Sequence, residues 1–288
     1  MKVGFVSIFG KPNAGKSTLL NALIGEKLAI VSKKVQTTRH RIKGIVTEKN
    51  HQLIFSDTPG ILEPKYKLHE KMMQEVKNAL EDADLALLLV DIKDDWKECD
   101  AIFASLKLKV PAVVVLNKID LVDTATLKEA EHFFAGKKYC KKVISISALS
   151  GLNKNKFVKA FLDILPEGEP FYSGDEITDR NTRFFVAEMI REKIYELYEE
   201  EIPYHTTVLV TEFKEKKELV KISADIIVQR ETQKGILLGE KGSKIKKLGI
   251  EARKEIEKFL RQKIFLELFV KVKEKWRDNE TYLKEYGY

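Results

Sequence analysis

The chain has 288 residues, a length that suggests about two domains. Its hydrophobic content of 44% supports packed cores, and its longest apolar run, residues 85–90, is far too short to span a bilayer, which needs about 20 residues. The net charge is +7, but residues 230–275 hold 14 Lys and Arg against 7 Asp and Glu. That asymmetry predicts a polyanionic partner for this segment.

The start of the chain and its cysteines favour a cytoplasmic protein. Lys2 is followed by a β-prone apolar segment and not by the apolar core and cleavage site of a signal peptide. Cys99 and Cys140 show neither metal-binding nor redox spacing, so we expect ordinary reduced thiols.

A phosphate-binding motif near the N-terminus organises the first half of the chain. Residues 10–18 match G-x-x-x-x-G-K-[ST] and lie between a predicted strand at 3–9 and a helical apolar pattern at 19–24. Backbone N–H groups and a helix N-terminus would then face a polyphosphate. Lys16 is predicted to reach its β- and γ-phosphates, and Ser17 to hold Mg²⁺. The predicted phosphate-binding residues are Gly10, Lys11, Pro12, Asn13, Ala14, Gly15, Lys16, Ser17 and Thr18.

A loop and a hairpin follow the motif. Residues 25–41 show no periodicity and predict a mobile loop, and residues 41–47 and 52–56 predict two strands. The second strand ends at Asp57, a carboxylate placed to bind Mg²⁺ directly or through water. Three residues later, the backbone N–H of Gly60 is placed to sense a γ-phosphate.

The remaining elements of this half alternate between strands and helices. We predict a helix at 68–82, a strand at 85–90, a helix at 99–106, strands at 112–116 and 143–146, and a helix at 154–165. This alternation predicts an α/β fold with a mostly parallel sheet, helices on both faces and a ligand at the carboxyl ends of the strands. Backbone N–H groups after the last strand are predicted to contact a base oxygen, and they belong to Ser147, Ala148 and Leu149.

The run Asn117-Lys118-Ile119-Asp120 indicates guanine selection. The Asp120 carboxylate can accept hydrogen bonds from the base N1–H and the exocyclic amine, which adenine does not offer. The Lys118 stem can stack on the base, and we expect Asn117 near the acceptor edge of the base.

Together these motifs resemble those of the translation-factor-related P-loop GTPases, over residues 1–165. The resemblance implies that Thr38 binds Mg²⁺, with Thr37 as the alternative. Ras-like members carry a water-orienting glutamine where this chain has Ile61, which implies slow intrinsic hydrolysis. In the branch with a hydrophobic residue there, an asparagine at the position of Asn13 often helps to hold K⁺. The residues expected to act in GTP hydrolysis are Lys16, Thr38 and Gly60.

A turn-rich polar segment at 166–178 predicts a linker to a second domain at 179–275. In that domain we predict a helix at 181–199, strands at 206–212 and 219–224 around a turn at 214–218, helices at 231–238 and 245–260, and a strand at 263–272. The last residues, 276–288, form either a short helix or a tail over a binding groove.

The turn Gly239-Glu240-Lys241-Gly242 lies between the last two predicted helices. Glycines at both ends allow a nucleic-acid backbone to approach closely, and residues 241–247 hold four lysines and no acid. With its element order, this segment resembles a type II KH domain, which implies an α+β fold that binds about four single-stranded nucleotides. The predicted RNA contacts are Ile236, Leu237, Gly239, Glu240, Lys241, Gly242, Ser243, Lys244 and Lys247.

The two halves together resemble a family of bacterial ribosome-assembly GTPases with a C-terminal KH domain. Besides the GXXG turn, the runs at 36–41 and 57–61 carry the likeness. It implies GTP or GDP with Mg²⁺ as ligands, and binding to the 3′ end of small-subunit ribosomal RNA and to the small ribosomal subunit. It further implies a monomer in the cytoplasm, with peripheral contact to the bacterial inner membrane.

Two other functions remain open from the residues alone. One is a P-loop ATPase or small-molecule kinase, against which Asp120 argues. The other is a GTP switch whose second domain binds a protein or an anionic membrane. No strongly amphipathic basic helix with bulky aromatic residues is evident in the sequence, which disfavours the membrane.

Overall fold

The computed structural model describes residues 1–32, 34–216 and 219–288 and divides into two compact units. The first unit comprises residues 1–63 and 72–179, and the second comprises residues 64–71 and 180–288. The last part of the turn predicted at 214–218 lies outside the described residues. In the described ranges, no helix combines the length and the apolarity needed to cross a membrane.

The first unit is built on a six-stranded sheet with the order β2-β3-β1-β4-β5-β6. Its strands are β1 (Lys2–Phe9), β2 (Ile42–Glu48), β3 (His51–Asp57), β4 (Leu85–Asp91), β5 (Ala112–Asn117) and β6 (Cys140–Ser145). The edge strand β2 runs antiparallel to β3, and the other neighbouring pairs are parallel. The predicted mostly parallel sheet is therefore confirmed.

The helices of the first half are α1 (Lys16–Ile24), α2 (Lys67–Glu81), α3 (Trp96–Ser105), α4 (Thr124–Ala135) and α5 (Lys154–Lys159). The sequence analysis did not predict α4, although Asp123 caps its first turn by accepting a hydrogen bond from Thr126 N at 2.8 Å. The helix predicted at 154–165 was too long. It ends before Phe161, whose backbone leaves the helical region at φ −133° while its ring enters the core.

The central strands explain where a ligand can bind. The side chains of β4 and β5 are almost all buried, as expected for parallel strands covered on both faces. The register pairs Ile8 with Asp57 and Asp91 with Asn117 at the carboxyl ends of neighbouring strands. Polar side chains that follow these strands therefore meet at one edge of the sheet.

The segment predicted as a linker lies along the first unit. Pro166 O accepts a hydrogen bond from Val3 N at 3.1 Å, and Ile177 O accepts one from Ile45 N at 2.9 Å. Between these points, the fully buried Gln52 accepts from the backbone N–H groups of Phe171 and Tyr172 at 2.7 and 3.0 Å. Residues 166–179 thus form hydrogen bonds with β1, β3 and the edge strand β2.

The second unit contains a three-stranded sheet with the order β7-β8-β9. Its strands are β7 (Thr207–Glu215), β8 (Val220–Val228) and β9 (Ile264–Val272), and its helices are α6 (Thr182–Leu197), α7 (Glu231–Leu238), α8 (Ser243–Leu260) and α9 (Glu280–Glu285). β8 is antiparallel to β7 and parallel to β9. Lys214 and Glu215 belong to β7 and not to the predicted turn. The predicted α+β fold is confirmed, and the chain ends with a short helix.

Alternation along β8 and β9 divides the residues of this sheet between two faces. The inward face of β8, together with buried residues of α6 and α8, forms one apolar core. The residues that β8 contributes to it are Val220, Ile222, Ala224, Ile226 and Val228. The outward face carries the residues between them. The core fixes α7 and α8, and with them the turn that joins these helices.

Candidate nucleotide and nucleic-acid sites

A cavity of about 560 Å³ lies at the carboxyl edge of the six-stranded sheet. It brings together most of the predicted nucleotide-binding residues. Those on its wall are Pro12, Asn13, Gly15, Lys16, Ser17, Thr18, Thr38, Gly60, Asn117, Lys118, Asp120, Ser147, Ala148 and Leu149. Gly10, Lys11, Ala14 and Asp57 were also predicted and do not line it. The Lys11 ammonium pairs with Glu98 at 2.8 Å.

Glycines give the phosphate-binding loop its shape. Gly15 has φ 99°, a left-handed conformation that side chains disfavour. A Cβ atom at Gly15 would lie 2.3 Å from the Asn117 amide nitrogen, and one at Gly10 would lie 2.4 Å from Leu89 O. The loop therefore packs against the ends of β4 and β5 in a way that only glycine permits at these two positions.

Lys16 is buried at the base of this loop. Its ammonium donates to Gly10 O at 3.1 Å and to Lys11 O at 2.9 Å. Burial lowers the pKa of Lys16 to about 8, and the nearby Asp57 carboxylate opposes this shift. A bound polyphosphate would supply the negative charge that Lys16 lacks here.

Three oxygen-bearing side chains converge on one point and fit Mg²⁺. Asp57 Oδ2 accepts a hydrogen bond from Ser17 Oγ at 2.6 Å and one from Thr38 Oγ1 at 3.2 Å. Asp57 Oδ1 is buried, and no group of the described residues donates a hydrogen bond to it. Burial raises the pKa of Asp57, against the effects of Lys16, Ser17 and Thr38. A hard divalent cation that prefers oxygen ligands would relieve both the unpaired oxygen and the buried charge.

The run predicted to select guanine contributes Asn117, Lys118 and Asp120 to the cavity wall. Asn117 donates to Ala14 O at 2.9 Å and accepts from Ala148 N at 3.0 Å. These bonds join two loops of the site and use one of the two amide N–H groups, so the expected place of Asn117 near the acceptor edge of a base stays a prediction. The Lys118 ammonium donates to Asn13 O at 2.9 Å and pairs with Asp91, which places its stem along the cavity. Asp120 is exposed on the cavity wall, where its carboxylate can accept from a ligand.

Six further residues line the cavity, and they are Ile30, Val31, Ser32, Gln36, Thr37 and Leu121. Thr37 is the predicted alternative Mg²⁺ ligand and Gln36 belongs to the run at 36–41, whereas no motif indicated the other four. All but Leu121 lie in the predicted mobile loop, which has no helix or strand among its described residues. Val31 and Leu121 are apolar side chains exposed beside a polar site, a signal of a binding surface that only the structure provides.

Ile61 packs away from the cavity. Its side chain is half-buried against the apolar core beneath β4 and β5, and its backbone N–H donates to Gly10 O at 3.5 Å. A Cβ atom at the preceding Gly60 would lie 2.9 Å from Pro12 Cγ. Gly60 is therefore held against the phosphate-binding loop, while no group of the Ile61 side chain can orient a water molecule.

In the second unit, the GXXG turn has a backbone that glycine makes possible. Gly239 and Gly242 have φ 69° and 78°, and Lys241 between them has φ 48°. A Cβ atom at Gly239 would lie 2.6 Å from Lys244 Cγ. Helix α8 begins directly after the turn, so its N-terminal N–H groups and the turn face the same solvent.

The charges around this turn are exposed. Among the residues that the structure describes, Lys241, Lys244 and Lys247 form no ion pair, whereas Lys254 farther along α8 pairs with Glu251 at 2.8 Å. Unpaired lysines keep their full attraction for a polyanion. Glu240 and Ser243 are exposed beside them.

The predicted apolar floor of this site holds for one residue only. Ile236 is 45% exposed on the outer side of α7. Leu237 is fully buried in the core, which corrects its predicted contact with RNA. The cause is helical geometry, since neighbouring residues on α7 point about 100° apart.

Comparison with known proteins identifies the family. Residues 5–118 match the family model of a 50S ribosome-binding GTPase, and residues 201–277 match that of a KH domain. GTPase Era of Geotalea daltonii is 45% identical over 288 residues, covering 99% of this chain and 97% of that protein. The chain belongs to the Era family of GTPases. GTPase Era of Staphylococcus haemolyticus is 43% identical, covering 100% of this chain and 97% of that protein.

Solved Era structures have the same fold. A variant of Aquifex aeolicus Era bound to GDP and AlF4⁻ has a TM-score of 0.95 and 40% identity, covering 100% of this chain and 99% of that one. Era in complex with MgGDPNP and nucleotides 1506–1542 of 16S ribosomal RNA has a TM-score of 0.94 and 41% identity with the same coverage. This Era-family chain is thus a GTPase with a C-terminal KH domain, as predicted.

Proposed function

We propose that this Era-family GTPase is a nucleotide-controlled switch that binds the single-stranded 3′ end of small-subunit ribosomal RNA and acts in small-subunit assembly and rRNA maturation. The exposed GXXG turn with its unpaired Lys241, Lys244 and Lys247 carries the proposal. A related Era that was solved with nucleotides 1506–1542 of 16S ribosomal RNA supports the choice of RNA. The RNA contacts are Ile236, Gly239, Glu240, Lys241, Gly242, Ser243, Lys244 and Lys247.

GTP binds in the cavity of the first unit. Lys16 and the loop N–H groups neutralise and position the phosphates, and Asp120 selects guanine. Ser17, Thr38 and Asp57 hold Mg²⁺, a role supported by the unpaired buried oxygen of Asp57. When bound, Mg²⁺ neutralises charge that develops on the phosphates. Asn13 contributes to a K⁺ site.

Intrinsic GTP hydrolysis is slow, because the Ile61 side chain packs in the apolar core and offers no polar group to water. Thr38 and Gly60 respond to the γ-phosphate, so their two loops are ordered with GTP and released after hydrolysis. RNA affinity therefore depends on the nucleotide, and hydrolysis times the release.

The GTPase domain comprises residues 1–165, followed by a linker at 166–178, the KH domain at 179–275 and a C-terminal segment at 276–288. The protein acts as a monomer in the cytoplasm and makes peripheral contact with the inner membrane. Sedimentation of the full chain with anionic vesicles, compared with its light-scattering mass in solution, tests both statements.

RNA affinity measured against salt tests the main proposal. The RNA is the 3′ end of 16S ribosomal RNA, and the protein carries either a non-hydrolysable GTP analogue or GDP. If three or four lysines neutralise phosphates, log affinity falls with log salt with a slope of roughly −2 to −3. We expect tighter binding with the GTP analogue, and loss of that binding in Lys241→Asp.

Lys254→Asp is the matched control, because it makes the same charge change on α8 at a lysine that is paired with Glu251. Equal weakening by both variants would show that only the overall charge matters. Equal binding of the RNA by the parent protein and Lys241→Asp would contradict the proposed KH site. Binding of the protein to isolated ribosomal subunits tests the proposed role in small-subunit assembly. Tighter binding to large subunits than to small subunits would contradict that role.

A further inference from the structure

Two aromatic rings stand exposed on the outward face of the second unit's sheet. Phe265 and Phe269, both on β9, are each 49% exposed. The β9 residues that alternate with them pack against the core between the sheet and its helices, so the two rings lie on the opposite face. Burying large aromatic side chains is strongly favourable, so two such rings on one face indicate a contact surface.

The end of the chain covers a different part of this face. Thr207 Oγ1 and the Tyr288 hydroxyl lie 3.0 Å apart, and Ile227, which pairs with Thr207, is buried. Phe265 and Phe269 pair with other β8 residues, Lys221 and Asp225. The C-terminal segment therefore occupies one end of the face and leaves the two rings exposed.

The charges beside the rings favour an anionic partner. The acidic groups of this face are paired: Asp225 with Lys271 at 2.6 Å, and Glu212 and Glu267 each with Lys221 at 3.2 Å. The Asp225 side chain is 8% exposed, whereas that of Lys271 is 52% exposed. Lys214, which pairs with Glu212, is likewise more exposed than its partner, at 67% against 25%. An approaching partner therefore meets the ammonium groups of Lys214 and Lys271 before the carboxylates they pair with, which suits phosphates and disfavours a second copy of the same face.

The position of β9 connects this face to the GXXG turn. β9 is an edge strand, and α7 and α8 lie on the inward side of its sheet. On that side, Gly249 of α8 is in contact with β9, since a Cβ atom there would lie 3.7 Å from Leu268 Cδ1. An extended strand held at the turn can therefore pass over the β9 edge and reach the outward face without crossing another strand.

We propose that Phe265 and Phe269 form a second RNA contact, on which bases of a strand leaving the GXXG turn stack. The proposal rests on the proposed RNA-binding function and extends it to a longer RNA. The two rings are four residues apart on one strand, a distance of about 13 Å. Each ring is therefore expected to stack on a separate base, and the two rings do not enclose one continuous stack of bases. Such stacking tolerates any base sequence, since every base has a π-face.

Affinities for two RNA lengths test this contact. One RNA has about four nucleotides, which a GXXG turn holds alone, and the other extends the same sequence to about three times that length. The double variant Phe265→Leu with Phe269→Leu keeps apolar side chains and removes the rings. We expect it to bind the longer RNA at least about tenfold more weakly than the parent and the shorter RNA equally well.

Phe269→Trp supplies a direct readout. It keeps a stacking ring, so we expect parental affinity for the longer RNA and quenching of the added indole fluorescence on binding. Ile250→Ala, which removes a similarly exposed apolar side chain from α8, is the control and should leave both affinities unchanged.

Several results would overturn the inference. They are parental affinity of the double leucine variant for the longer RNA, equal binding of both RNA lengths by the parent, and no quenching in Phe269→Trp. A change in oligomeric mass in the double leucine variant would assign the face to contact between copies. Failure of the proposed function is distinguishable, because Lys241→Asp would then bind the shorter RNA as well as the parent does.

Discussion

In the nucleotide cavity, Lys16 is buried and bonded to loop carbonyls, and Asp57 is buried and bonded to two hydroxyls. At the GXXG turn, in contrast, Lys241, Lys244 and Lys247 are exposed to solvent. Burying a charge such as that of Lys16 or Asp57 costs free energy, and an oppositely charged ligand compensates that cost. The exposed lysines of the GXXG turn cost little free energy and attract any polyanion, and salt weakens this attraction. The two sites should therefore respond differently to mutation, pH and salt.

The contrast between buried and exposed groups can be tested first at two adjacent residues of the second unit. Leu237→Ala should lower the free energy of unfolding by about 3 kcal/mol, because it opens a cavity in the core. Ile236→Ala should change it by less than about 0.5 kcal/mol, since this side chain is on the surface. Urea unfolding of the full chain, followed by circular dichroism, measures both. Similar losses in the two variants would place Ile236 in the core and remove it from the RNA site.

The next largest effect is expected at Asp120, the residue predicted to select guanine. Asp120→Ala should weaken GDP binding roughly 100-fold, because two hydrogen bonds to a charged acceptor are lost. Binding of ADP should stay as weak as in the parent. Titrations with GDP and ADP measure both affinities, and competition between GTP and ATP measures the preference for guanine. Asp123→Ala is the control, since Asp123 caps α4 and does not line the cavity. Unchanged preference for GTP over ATP in Asp120→Ala would show that a group other than Asp120 selects guanine.

The elements that the sequence predicted well are those with short-range causes. The strand before the phosphate-binding loop, Gly15 in the loop and the GXXG turn each follow from local pattern and backbone freedom. Their assembly could be predicted too, because the carboxyl ends of parallel strands share one edge of a sheet.

The parts that sequence reasoning missed depend on distant contacts. Leu237 and Ile236 are equally apolar in the sequence, and only the packing of α7 on the sheet separates them. The hydrogen bonds by which Asn117 joins two loops depend on the positions of Ala14 and Ala148, which lie far away in the chain. Helix α4 was different, because Asp123 and the spacing of Ala130 and Phe134 provided a local signal that was not used.

A pH titration of GDP binding tests the buried charge of Lys16 in the nucleotide cavity. The folded pKa of Lys16 without nucleotide is about 8, below its ordinary value of 10.5. Between these values the unfolded chain holds more protons, so this group raises the free energy of unfolding as pH increases from 8 to 10.5. Bound phosphates favour the charged form, so GDP affinity should fall about tenfold per pH unit above pH 8. Calorimetry from pH 7 to 9 measures it.

Lys16→Met is the control for this titration. It should bind GDP weakly at every pH, because no ammonium group is present to gain or lose a proton. A flat profile in the parent protein would show that Lys16 is already fully charged without nucleotide. A sloping profile in Lys16→Met would assign the titration to a group other than Lys16.

The smallest predicted effect separates apolar contact from charge at the GXXG turn. Ile236→Ala should weaken binding of the 3′-end RNA only a few fold, because it removes less than one fully buried side chain of apolar contact, about 1 kcal/mol or less. Its effect should not depend on salt, in contrast to that of Lys241→Asp. Ile250→Ala is the matched control, with 46% exposure against 45% for Ile236. If RNA affinity falls equally in both variants, the outer surface of α8 also contacts the RNA. If it falls in neither, the turn binds RNA through charge alone, in contrast to the cavity, where buried groups bind the ligand.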